Sequence, residues 1–158
     1  MELAMEEALK AERRGSVPVG AVVVNRDQVV SMAGNEVMRI HDPTAHAEIL
    51  AIRRACLALK SPLLDGFDIY VTLEPCTMCA QAISLARIRR LYFGAYETKY
   101  GAVEHGPRIF NFAIHKTEVI GGIRETQCGQ ILHDFFDRKR KFITHCHNIP
   151  LSATESRK

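Results

Sequence analysis

The sequence predicts an α/β fold, a three-layer α/β/α sandwich around a mixed sheet of about five strands. Three observations carry this expectation. Residues 17–33 read as two β-rich runs around a short polar turn. Residues 67–93 read as strand, helix, strand with no room for long loops. Helical segments with apolar faces lie at residues 1–14, 44–61 and 123–143.

Taken in order, residues 1–14 hold helix formers with Leu3, Ala4, Ala8 and Ala11 at near-helical spacing, and Gly15 can end that helix. Strands are expected at 17–24 and 28–33, joined through Asn25-Arg26-Asp27 as a hairpin. Thr44 is placed to cap a helix whose apolar positions are Ile49, Leu50, Ile52, Ala55 and Leu57, and which stops near Pro62. A strand at 67–73 feeds directly into a helix after Pro75, and a second strand at 88–93 follows. That series favours parallel pairing. Residues 95–115, rich in Gly, Tyr and His, have no clean period and read as a functional loop. A last strand is expected at 118–120 and a closing helix at 123–143 with Ile131, Leu132, Phe135 and Phe136 inward.

At 158 residues, 47% hydrophobic and 25% charged, the chain has the composition of an ordinary globular domain. One domain is expected over residues 1–150, with a polar, disordered tail at 151–158. No apolar run approaches the ~18 residues of a membrane span, and Glu2, Glu6 and Glu7 are wrong for a secretory signal. The expected location is cytoplasmic. Five cysteines is an odd number and suits a reducing compartment without a disulfide framework, so Cys56, Cys128 and Cys146 are expected as free thiols.

The chemistry sits in two short motifs, His46-Ala47-Glu48 and Pro75-Cys76-Thr77-Met78-Cys79. Cys76 and Cys79 share a face at the start of a helix, where the helix N-terminus favours the thiolate form that binds metal. His46 would be a third ligand. A structural zinc site usually closes its tetrahedron with four protein ligands, whereas a hydrolytic one keeps a position for water. Glu48 lies about 200° around a helix from His46, too far to share the ion with it from mid-helix. With His46 in the first turn, Glu48 can instead flank the metal and carry a proton. A closed site would need a fourth ligand from His41, Cys56 or Cys128, none at a helpful spacing, and a redox dithiol would leave His46 and Glu48 idle. His145-Cys146-His147 looks metal-like but is expected to be incidental, since residues one and two apart do not face the same way on a helix. No role is read for His105, His115 or His133.

Basicity is concentrated at the C-terminal end. From Arg124 onward there are seven Lys or Arg and four Asp or Glu, a balance of +3 that equals the formal charge of the whole chain. Arg138-Lys139-Arg140-Lys141 follows Phe135-Phe136, a combination that can hold phosphates and stack an unpaired base, or else be a solvated helix face.

The segments His41–Glu48 and Val71–Cys79 resemble the two signature blocks of bacterial tRNA-specific adenosine deaminases, within the zinc nucleoside and nucleobase deaminases. The resemblance extends to Val17-Pro18-Val19-Gly20-Ala21-Val22, Phe93-Gly94-Ala95 and Phe135-Phe136, covering roughly residues 1–145. It implies a cytidine-deaminase-like fold and one Zn2+ per chain on His46, Cys76 and Cys79. It also implies hydrolytic deamination of adenosine to inosine at the wobble position of a tRNA anticodon, with zinc-activated water attacking adenine position 6 and Glu48 moving the protons. Asn35 stands where the family's substrate-pocket asparagine falls. Lys99, Phe136 and Arg140 are the expected RNA contacts. The partners implied are the tRNA anticodon loop and a second copy of the chain in a homodimer. The sequence departs from the common family pattern at Glu97, where many relatives carry Asp, and in the loop 101–112. One alternative is a free nucleobase deaminase acting on guanine or cytosine with the same zinc chemistry. Another is a zinc-stabilised RNA-binding module without activity, for which Glu48 would have no use.

Overall fold

β-Branched residues favour extended backbone, and they build a hairpin from β1 (Gly20–Asn25) and β2 (Gln28–Gly34), which turns at Arg26 and Asp27. The computed structural model describes the backbone of residues 1–147 and the side chains of residues 1–141. β1 begins three residues later than expected because Pro18 has no N–H to give a ladder, and the Val19 N–H is turned back onto the Val17 carbonyl at 2.8 Å. β3 (Asp68–Leu73) pairs antiparallel with β1, and β4 (Arg90–Ala95) and β5 (Glu118–Ile120) add in parallel. The sheet order is β2-β1-β3-β4-β5, a mixed sheet of five strands. The parallel β3–β4 pair follows from the helix between them, α4 (Thr77–Leu85), as the sequence predicts.

Helices cover both faces. α1 (Glu2–Arg13) lies on β1 and β2, and the long α5 (Glu125–His147) lies on β4 and reaches α1. α3 (Ala47–Leu59) covers the opposite face over β1 and β2 and packs against α4. Together these layers form a three-layer sandwich. α1 can lie so close because Gly20 has no side chain: a Cβ there would sit 1.9 Å from the Ala4 carbonyl oxygen. Gly15 ends the helix region as expected, with φ +79° and its N–H on the Glu12 carbonyl. Ala4, Ala8 and Ala11 are buried, whereas Leu3 is exposed.

Three expectations need correction. Thr44 does not cap α3, because Asp42 Oδ1 holds both its N–H and its hydroxyl at 2.7 Å, and the cap position falls to His46. Leu57 is 78% exposed, on the outer side of α3. On α5, Phe135 is buried and Phe136 is 45% exposed; adjacent residues on a helix stand about 100° apart, so both cannot face the sheet. A short helix, α2 (Val37–Ile40), was not expected, and His41 closes it in the left-handed region at φ 53°. Residues 145–147 end α5, and their side chains, like the expected tail at 151–158, lie outside the described residues.

The core runs through the sheet centre and the α3/α4 layer, where Ile52, Ile69, Val71, Ile83, Leu91 and Phe93 are buried together. β3 and the starts of α3 and α4 are therefore held rigidly from below. No helix among the described residues is long and apolar enough to cross a membrane.

Candidate active site

His46 and Cys76 occupy equivalent places: each is the last extended residue before a helix, with ψ 152° and 173°. Neither side chain is spent on capping its own helix. They turn toward each other, and Cys79, one turn into α4, completes the group. His46 Nδ1 lies 3.7 Å from Cys76 Sγ and 3.5 Å from Cys79 Sγ. An ion bound tetrahedrally at zinc's usual N and S distances requires N···S edges of about 3.6 Å. The observed distances meet that requirement, and the three ligand atoms all lie within 4.8 Å of one another. The donor set also suits zinc. A hydrogen bond from the Cys79 thiol, and a further one from His46, hold the Cys76 thiol down to about 4, while the same shared proton and burial push Cys79 up. His46 is raised, chiefly by its hydrogen bond with Cys76. Cys76 is thus a ready thiolate beside an imidazole. No fourth protein ligand joins this group among the described residues.

Glu48, in the first turn of α3, is 4% exposed. Burial raises its pKa, against the opposing pull of its own backbone N–H and His46. Among the described residues no arginine or lysine forms an ion pair with Glu48, whose main partners are His46 and the two cysteines of this site. It lines a cavity of about 430 Å³ together with His46, Cys76 and Asn35, with Val17, Val19 and Leu73 as apolar wall. The cavity therefore joins an ion-binding group, one acid and one amide around an apolar slot.

Asn35 reaches this wall because β2 has just ended. Its N–H bonds the Val19 carbonyl at 2.9 Å, and its Oδ1 accepts the Val37 N–H at 3.0 Å, starting α2. The amide N–H₂ is the part that can meet a ligand. Lys99 does not line the cavity itself; its Nζ lies 5.0 Å from the ring of Tyr100, which does. Phe136 and Arg140 do not line it: Phe136 sits edge-on to Phe135, and Arg140 pairs with Asp137.

Sequence reasoning missed Glu74, although it stands between β3 and the Pro75-Cys76 motif. Its side chain is fully buried. One oxygen accepts N–H groups of Val103, Glu104 and His105 at 3.2, 2.9 and 2.9 Å. The other accepts the Glu97 N–H at 3.1 Å and faces His105 Nδ1 at 2.7 Å. This carboxylate gathers the loop that carries Glu97 and Tyr100 into the cavity. Gly101 bridges to Cys76, and a Cβ on it would lie 2.6 Å from the Glu74 carboxyl carbon. The available signal was a carboxylate at the end of an apolar strand with no cation nearby in sequence.

Burial alone would raise the Glu74 pKa, but the N–H groups and His105 outweigh it and leave it below the ordinary value of 4.5. A depressed value means the ionised form stabilises the fold above pH 4.5 and that this is lost as pH falls further. Glu74→Gln, which turns one acceptor into a donor facing donors, is expected to lower stability by about 3 kcal/mol at neutral pH. Urea titrations should show the gap between variant and parent narrowing on acidification; a gap independent of pH would contradict the ionised anchor.

A family model described as the cytidine and deoxycytidylate deaminase zinc-binding region matches residues 1–95. The tRNA-specific adenosine deaminase of Agrobacterium fabrum is 52% identical over 142 residues, covering 89% of this chain and 93% of the relative. A solved structure from a study of A-to-I editing by tRNA:A34 deaminases at the wobble position of transfer RNA has a TM-score of 0.82 at 52% identity, covering 84% of this chain and 97% of that one. The guanine deaminase of Bacillus subtilis is 38% identical over a smaller share, 61% of this chain and 62% of that one, with a TM-score of 0.59.

Proposed function

The chain belongs to the cytidine and deoxycytidylate deaminase zinc-binding family, and from that premise we infer that it is a zinc-dependent hydrolase converting adenosine to inosine at the wobble position of a tRNA anticodon. The observation that carries the reading is the three-ligand group with an acid beside it in one cavity. Relatives named for this activity match nearly the whole domain. His46, Cys76 and Cys79 are the zinc ligands. Zinc held there supplies acidification of a water molecule, lowering its pKa from about 15.7 to about 7.

The remaining chemistry belongs to the chain. Glu48 takes the proton of the attacking water and returns protons to the purine ring nitrogen and to the departing amine at position 6, so that ammonia leaves and inosine remains. Val17, Val19 and Leu73 exclude solvent from the base, and the Asn35 amide fixes its orientation by hydrogen bonding. Tyr100, which lines the cavity, and Lys99 beside its ring meet the anticodon loop. Phe136 and Arg140, outside the cavity, take flanking nucleotides. A base inside a helical stack could not enter, so the substrate is a splayed anticodon-loop nucleotide. A tRNA substrate supports a cytoplasmic location, and the single five-stranded sheet supports one domain over residues 1–150.

The partner protein is a second copy of the chain. Leu57 and Leu85 are 78% and 68% exposed on α3 and α4, two helices that pack against each other and start at the ligands. Large apolar side chains left exposed on one layer suit an interface.

The test is nucleoside mass analysis of a tRNA transcript before and after exposure to the zinc-loaded protein. Inosine at the wobble position is expected, with a dimer mass by light scattering on the same sample. Ammonia released from free guanine with no inosine in the tRNA would replace this reading by the nucleobase one.

A further inference from the structure

Glu36 is a buried carboxylate, its side chain 7% exposed, yet it gathers three guanidiniums from three separate elements. Arg54 of α3 and Arg14 after α1 approach one oxygen at 3.3 and 3.5 Å, and Arg39 of α2 binds the other. The arginine side chains are 47%, 49% and 46% exposed for Arg14, Arg39 and Arg54. Arg54 is fixed further by donating to the Met32 carbonyl at 2.7 Å. Three positive charges against one negative leave the cluster at 3 − 1 = +2. Other described arginines in ion pairs, such as Arg89 with Asp68 and Arg90 with Glu118, balance one to one.

The cluster adjoins the cavity through the chain itself. Glu36 follows Asn35, which lines the wall, and the Glu36 N–H bonds the Ala45 carbonyl next to His46 at 3.0 Å. Each guanidinium presents five N–H donors, and a carboxylate that holds three of them cannot occupy them all. Pre-positioned planar donors with surplus positive charge match the oxygens of a phosphodiester.

We propose that Arg14, Arg39 and Arg54, fanned out by the buried Glu36, form a clamp for the phosphodiester backbone of the RNA strand whose base enters the adjoining cavity. This rests on the tRNA reading above and adds the surface that holds the strand. Glu36 is a positioning residue, and the arginines are the contacts.

Binding of a wobble-adenosine anticodon stem-loop is measured by fluorescence anisotropy from low to moderate salt, using the zinc-loaded protein. Arg39→Gln with Arg54→Gln is expected to weaken binding about three- to tenfold per guanidinium and to lower the slope of log affinity against log salt by about 1 for each. Arg39→Lys keeps the charge and is expected to keep the slope. Should the double variant unfold, the single Arg39→Gln, which leaves Glu36 two partners, decides the matter. Unchanged affinity and slope would overturn the clamp, as would a variant that changes oligomeric mass while its monomer binds RNA with the parental slope, since the cluster would then be a protein interface. Inosine formation by the parent separates the two levels: its absence sinks the tRNA reading, whereas inosine with unaltered slopes sinks only the clamp.

Discussion

Glu48→Ala is expected to lower inosine formation by about a thousandfold or more while the protein keeps its zinc and its fold. A positioned proton carrier contributes roughly a hundred- to ten-thousandfold, and here one carboxyl must serve the water, the ring nitrogen and the leaving amine. Its side chain is not a metal ligand in the three-membered group, so zinc content should stay at one per chain. Stability should not fall either. Burial disfavours the charged form of Glu48, so its removal relieves a desolvation cost instead of breaking an ion pair. Single-turnover assays alongside metal analysis and thermal unfolding check all three. Turnover within about tenfold of the parent would remove Glu48 from its role and revive the reading of an inactive RNA-binding module.

Cys79→Ala is expected to take zinc content and inosine formation to near zero together, with a chain that remains folded. Two ligands cannot hold the ion as three do, and loss of metal removes its binding energy from the folded state. The domain survives because its core does not depend on the ion: Ala51, Ile52, Ile83 and Phe93 are buried by the sheet and helices alone. Circular dichroism of the variant should keep parental helix content with a lower unfolding temperature. A variant that kept full zinc would show that another side chain completes the site, and one that lost its helix content would make the metal structural. Stripping the parent with a chelator should reproduce the variant, and adding zinc back should restore only the parent.

Much of the architecture was legible because it is locally encoded. The hairpin, the parallel strand pair around a short helix and the five-strand count follow from period-two and helical patterns that need no knowledge of neighbours. The errors arose where two local rules competed. Thr44 is a good cap residue, but Asp42, two positions earlier, captures it first. Phe135 and Phe136 are equally apolar, and only the packing of α5 on β4 decides which one turns inward. Asn35 serves two ends at once, its oxygen starting α2 while the residue lines the cavity.

By itself, the sequence determined which atoms could bind metal, since a thiolate pair one helical turn apart and a histidine two residues from an acid are properties of short segments. It also determined the chain order of the five strands and of four of the five α-helices. Only the tertiary structure decided that His46 and Cys76, 30 residues apart, would meet at 3.7 Å, that Glu74 would bind a loop about thirty residues away, and that three arginines from distant segments would converge on Glu36. The physical reason is that each of these contacts depends on burial. A carboxylate gathers N–H groups or guanidiniums strongly only once folding has excluded water from it, and no spacing along the chain states which groups that will be.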